Sequence, residues 1–123
     1  MANEITSSFS VQLINGLLRL DFKPAKILTT QAASGLFDSV RSIATTETSV
    51  ALAGITTPKI AMIWNLDATN YCELGTTTTD YPIKLFPTGS GLPNIITLNA
   101  GKTTLYLKAN TAATKVRIIV LEA

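Results

Sequence analysis

Apolar and polar side chains alternate with a period of two along almost the whole chain, the spacing that sends successive residues to opposite faces of an extended strand. Over Ser7 to Leu13, the set Ser7, Phe9, Val11 and Leu13 alternates with Ser8, Ser10 and Gln12. Over Leu18 to Phe22, the set Leu18, Leu20 and Phe22 alternates with Arg19 and Asp21. Asn15-Gly16 stands between the two runs, a pair that tolerates positive φ at both central positions of a type I′ turn. This stretch, up to Phe22, predicts a β-hairpin.

Pro24 ends that hairpin because it has no N–H to give a ladder, and Lys26 to Gln31 is expected to pair again before Ala32-Ala33-Ser34-Gly35 breaks the pattern. Leu36 to Arg41 has room for one helical turn, whereas β-branched Val40, Ile43, Thr45 and Thr46 favour a strand over Val40 to Thr46. Further strands are predicted at Thr48–Leu52, Ile60–Leu66, Tyr71–Leu74, Ile83–Phe86, Ile95–Leu98, Thr104–Ala109 and Lys115–Glu122. Turn-forming runs separate them at Gly54, Asn65–Asn70, Thr76–Asp80, Pro87–Pro93, Asn99–Lys102 and Asn110–Ala113. Ile60 to Leu66 is apolar on both faces, which marks a central strand, and core packing accounts for Trp64, Phe9 and Phe22. Roughly 8 to 10 short strands at this spacing predict an all-β, antiparallel fold, a sandwich or a barrel.

The 123 residues suit a single domain over 1–123, with 1–6 as an N-terminal arm outside the alternation. At 46% hydrophobic and 15% charged residues the chain carries enough apolar surface to fold. Ten Lys and Arg against eight Asp and Glu are scattered singly, so neither a nucleic-acid nor a membrane-lipid footprint is expected. The opening Met1-Ala2-Asn3-Glu4-Ile5 does not read as a signal peptide and the apolar runs are too short to span a bilayer, which implies synthesis in a cytoplasm.

Histidine is absent, which removes Ser-His-Asp and Cys-His nucleophilic schemes and His-ligated metal sites from this chain. The single cysteine, Cys72, alternates with Leu74 and has no cation beside it, so it is expected in the core as a small hydrophobe. Asp67, Asn65 and Asn70 offer too few oxygens for calcium and suit a turn better. Asp38, Glu47, Asp67, Glu73 and Asp80 mostly sit beside turn or solvent-face residues; the fold alone could bring two acids together for glycoside chemistry, but nothing in their spacing requires it. Gly89-Ser90-Gly91 lies between prolines and leads into a strand, so it lacks the helix N-terminus a phosphate loop needs. No enzyme activity, cofactor or metal is expected.

Tyr106 falls on the face opposite Leu105, Leu107 and Ala109, and Ile119 and Leu121 leave the face of Val116, Ile118 and Val120. With Phe86 they indicate apolar surface that an isolated fold does not hide, and Asn3, Glu4 and Ile5 of the arm are further expected contacts. A protein interface fits this better than a glycan platform built on Tyr81, Tyr106 or Phe86, which would use more aromatics.

The run Ile63-Trp64-Asn65-Leu66-Asp67-Ala68-Thr69-Asn70-Tyr71 after Thr56-Thr57-Pro58, and Leu105-Tyr106-Leu107-Lys108-Ala109-Asn110-Thr111-Ala112-Ala113 leading into Val116 to Glu122, resemble a family of small tailed-bacteriophage proteins. The opening Met1 to Thr6 is similar too, and the likeness runs from end to end apart from the Pro87–Pro93 loop. The resemblance implies a β-sandwich virion component with no catalytic residue. The expected protein is a capsid cement or decoration protein of jelly-roll type, located on the capsid surface. Its partners would be the major capsid protein or other virion proteins and copies of itself, a trimer among the options. A neck, tail or fibre component and a carbohydrate-binding module are the alternatives.

Overall fold

The computed structural model describes residues 5–31, 35–88, 93–99 and 101–122. Asn3, Glu4 and the Gly89-Ser90-Gly91 run lie outside the described residues. The fold is all-β and antiparallel, with twelve strands and no helix among the described residues. The chain divides into two compact units, Met1–Ala32 and Ala33–Ala123.

The first unit holds β1 (Ile5–Ser7), β2 (Val11–Asn15), β3 (Leu18–Phe22) and β4 (Ile27–Thr29). The expected Ser7–Leu13 strand is two pieces. Ile5 opens β1, which pairs with β4, while β2 pairs with β3. The hairpin turn also differs from the expected one. Asn15 is the last paired residue, opposite Leu18, and the loop is Gly16-Leu17 with φ +57° at Gly16 alone. Glycine at the first central position with a negative φ at the second is the type II′ arrangement. Phe9 and Phe22 are exposed in place of the expected core positions, and no described residue of this unit is buried.

The second unit is a β-sandwich. One sheet runs β10 (Asn94–Thr97), β7 (Pro58–Asn65), β12 (Thr114–Glu122), β5 (Leu36–Ile43). The other runs β6 (Thr48–Ala51), β11 (Thr104–Ala109), β8 (Cys72–Gly75), β9 (Ile83–Leu85). Strand β5 begins at Leu36, ahead of the expected Val40, because all eight of its residues find partners on β12 and Phe37 reaches the core. Strand β7 is central, between β10 and β12, as its doubly apolar pattern predicts.

The core lies between the sheets. Ile63, Val116, Ile118 and Val120 from one sheet meet Leu74, Leu85, Leu105 and Leu107 from the other, all at most 1% exposed. Cys72 is among them, and burial raises its thiol pKa to about 11, so it remains a protonated apolar filler. Gly75 is required by a close approach, since a Cβ there would fall 1.7 Å from the Asp80 carbonyl oxygen.

Two polar residues inside the sandwich fasten its ends. Asn65 is 2% exposed, and its Nδ2 donates to the Asn70 carbonyl at 2.8 Å and the Leu85 carbonyl at 3.0 Å, while its Oδ1 accepts from Asp67 N at 2.9 Å. Because Leu85 belongs to the opposite sheet, this one amide ties the two layers together. Glu122 is 3% exposed, and its carboxylate accepts from Gly35 N at 3.1 Å, Thr57 N at 2.9 Å, Thr56 Oγ1 at 3.0 Å and Thr56 N.

Donors from the Thr57 and Thr56 backbone stabilise the ionised form of Glu122, and its pKa lies below the ordinary value of 4.5. The folded chain therefore holds this proton less tightly than the unfolded chain. Its contribution to stability is complete above about pH 4.5 and is lost as the pH falls through the lowered folded value. Glu122→Gln is expected to melt several degrees below the wild type at pH 7, with the gap narrowing as the pH drops below 4.5. Thermal melts of both proteins between pH 7 and 3 test this, and a gap independent of pH would refute it.

Candidate interaction surface

Strand alternation sends every second residue of the β10-β7-β12-β5 sheet away from the core, and on this sheet many of the outward residues are apolar too. The register aligns them in rows. Trp64 of β7 lies beside Arg117 of β12 and Val40 of β5. The next row is Ile95, Met62, Ile119 and Asp38, and the one after it is Thr97, Ile60, Leu121 and Leu36. Leu36, Val40, Trp64 and Ile95 are each more than two-fifths exposed, and Ile60, Met62, Ile119 and Leu121 are half-buried. The exposed parts of these side chains amount to ~400 Å² or more, the scale at which a monomer's apolar patch marks an interaction site.

Trp64 was expected in the core and is instead 43% exposed. The reason is phase. Ala61, Ile63 and Asn65 point between the sheets, so Ile60, Met62 and Trp64 form the outer face of the same strand. Sequence alone shows two apolar faces on β7 and does not say which is covered.

Among the described residues a single ion pair crosses this face. Arg117 Nε and Nη2 donate to the two Asp38 carboxylate oxygens at 3.0 and 2.8 Å. The Arg117 hydrogen bonds hold the Asp38 carboxyl below its usual range. Beside the pair, a depression of about 220 Å³ is lined by Met62, Trp64, Pro93, Arg117 and Ile119. It is smaller than the ~300 Å³ at which ligand clefts begin. Trp, Met and Arg at the centre of an otherwise aliphatic patch are the residue types that dominate protein–protein contacts.

Of the residues expected to touch a partner, Ile119 and Leu121 belong to this face, whereas Tyr106 is on the outer side of the opposite sheet, and so is Lys84, beside which Phe86 lies. They do not form one surface. Phe86 is exposed and lies 5.2 Å from the Lys84 ammonium, which also sits 3.8 Å from the Tyr71 ring. Tyr106 is half-buried beside a polar depression of about 210 Å³ with Thr76, Lys102 and Thr104. Tyr81 gives its hydroxyl proton to a hydrogen bond with Glu47, which also accepts from Thr79 N at 2.7 Å. Those two bonds lower the Glu47 pKa, and the bond to Glu47 raises that of Tyr81. Ile5 is half-buried in β1 of the first unit. Sequence reasoning missed Trp64, Met62, Val40, Leu36 and Ile95, and their alternation with core residues is the signal that could have found them.

The Asp67 cluster is a turn. Asp67 Oδ1 accepts from Asn70 N at 2.7 Å, Thr69 N at 2.8 Å and Thr69 Oγ1 at 3.2 Å, which lowers its pKa. The Asp67 carbonyl takes Thr88 N at 2.9 Å. Asn70 accepts a hydrogen bond from the Thr111 hydroxyl, and Asn110 N donates to the Tyr71 carbonyl at 3.2 Å. The 63–71 and 105–113 runs thus brace each other at one end of the sandwich. Among the described residues no three Cys, Asp or Glu side chains gather where a metal ion could be held. Neither depression has a carboxylate in its lining. No family model, curated protein or solved structure matches the chain.

Proposed function

We propose that the chain is a non-enzymatic structural component of a bacteriophage virion, a capsid cement or decoration protein of jelly-roll type. It docks on the outer surface of the major capsid protein lattice and stabilises the shell. The observation that carries this reading is the outward apolar face of the β10-β7-β12-β5 sheet, centred on Trp64, Met62 and Ile119 and interrupted by one ion pair. A cement protein needs a broad adhesive face and no reaction chemistry, because its effect comes from many copies each adding a modest contact.

The strand order supports the jelly-roll form. Strands β5-β12-β7-β10 lie opposite β6-β11-β8-β9, so successive strands alternate between sheets except at β8 and β9. An eight-stranded roll built from two Greek keys would be wired in this way. The sequence resemblance in Asn65–Tyr71 and Lys108–Ala113 supports the phage assignment.

The test is reconstitution. Purified virions are expected to contain the chain in many copies, and particles stripped of it are expected to rebind the isolated protein and regain heat resistance. A copy number of only a few per particle would favour a neck, tail or fibre component, and absence from particles would overturn the proposal.

A further inference from the structure

We infer that the β2–β3 ribbon of the first unit is a self-association element whose apolar face is covered by a second copy of this chain. The register pairs Val11 with Phe22, Leu13 with Leu20, and Asn15 with Leu18, so these side chains share one face. Gln12, Ile14, Arg19 and Asp21 take the other. All five apolar members of the first set are exposed, from 41% at Leu13 to 61% at Leu18.

A two-stranded ribbon is at best marginally stable in water and needs a third strand or a packed face. This unit supplies neither. The β2–β3 sheet has two strands only, and no described residue from 5 to 31 is buried. The exposed share of the five side chains comes to roughly 450 Å² per copy, over half of the ~800 Å² that each partner contributes to a standard interface.

Three features favour a second copy as the occupant. The face carries no charge, so identical copies meet without like-charge repulsion. An isologous contact places the same apolar rows against each other and leaves Arg19 and Asp21 in water. The ribbon needs cover wherever the chain is made, and every copy of the chain brings an identical uncharged apolar face. Two ribbons packed face to face make a four-stranded miniature sandwich, the smallest assembly in which each has a buried side.

The inference is independent of the shell-binding proposal. Sedimentation equilibrium of the full chain is expected to give a multiple of 13.1 kDa. The double variant Leu13→Asp/Leu20→Asp is expected to associate at least tenfold more weakly and run at 13.1 kDa, with the melting of the sandwich unchanged because none of its core residues lies in this ribbon. Leu13→Cys supplies a positive readout. Mild oxidation should link two such chains, while the wild type, whose Cys72 is buried, stays unlinked. A monomeric wild type, an unchanged mass in the double variant, or no cross-link in Leu13→Cys would each overturn the inference. Trp64→Ala should retain the oligomer mass while losing particle binding, so the two proposals fail separately.

Discussion

Replacing Asn65 by alanine is expected to cost about 3 kcal/mol or more, the largest loss anticipated from removing a single polar group in this protein. The substitution strips partners from the Asn70 and Leu85 carbonyls and from Asp67 N–H, with the side chain at 2% exposure where water cannot replace it. Leaving the buried Leu85 carbonyl unpaired costs about 1–3 kcal/mol, and the two half-buried turn groups that lose hydrogen bonds, together with a small cavity, add to that. For a sandwich of this size the melting temperature should fall by roughly 15 °C. Below that lowered midpoint, binding to stripped particles should be unchanged, since Asn65 faces the core and not the outer sheet. A melting point within about 3 °C of the wild type would show that the amide does not hold the sheets together.

Trp64→Ala is expected to act in the opposite sense, with little effect on folding and a large effect on assembly. Its side chain is 43% exposed, so much of its surface is already in water in the isolated chain. Central aromatic residues at protein contacts commonly contribute 2 kcal/mol or more, and loss of that amount is about 30-fold in affinity. Binding of the purified variant to stripped particles, measured by co-sedimentation over a range of concentrations, should show this shift. Because the centre of the face is apolar and the Arg117 and Asp38 charges on it neutralise each other, raising the salt from 0.05 to 0.5 M should change wild-type binding much less than the substitution does. Affinity that survives Trp64→Ala, or collapses with salt alone, would place the contact elsewhere.

Much of the architecture was legible in the sequence because strand alternation is a local property. Thr104–Ala109 forms β11 with the expected bounds, and Val116, Ile118 and Val120 point inward while Ile119 and Leu121 do not. The errors came where one strand carries two apolar faces or where a face has nothing to cover it. On β7 the pattern Ile60, Met62, Trp64 looks more core-like than Ala61, Ile63, Asn65, yet the latter set lies between the sheets. The buried member, Asn65, is polar, and only its hydrogen bonds to Asn70 and Leu85 explain why it is there. Phe9 and Phe22 were likewise assigned to a core that their unit does not possess among its described residues.

Most strand positions, the absence of imidazole chemistry and the inert setting of Cys72 follow from the sequence itself, since each depends on residue type and nearest neighbours. Which apolar face faces solvent, how β5 and β7 come to flank β12, and that Glu122 meets Thr56, Thr57 and Gly35 across the length of the chain were decided only by the tertiary structure. The physical reason is that burial belongs to a pair of surfaces. A strand's pattern states what it can cover, and only the docking of one sheet on another states what is covered and what remains to meet a partner.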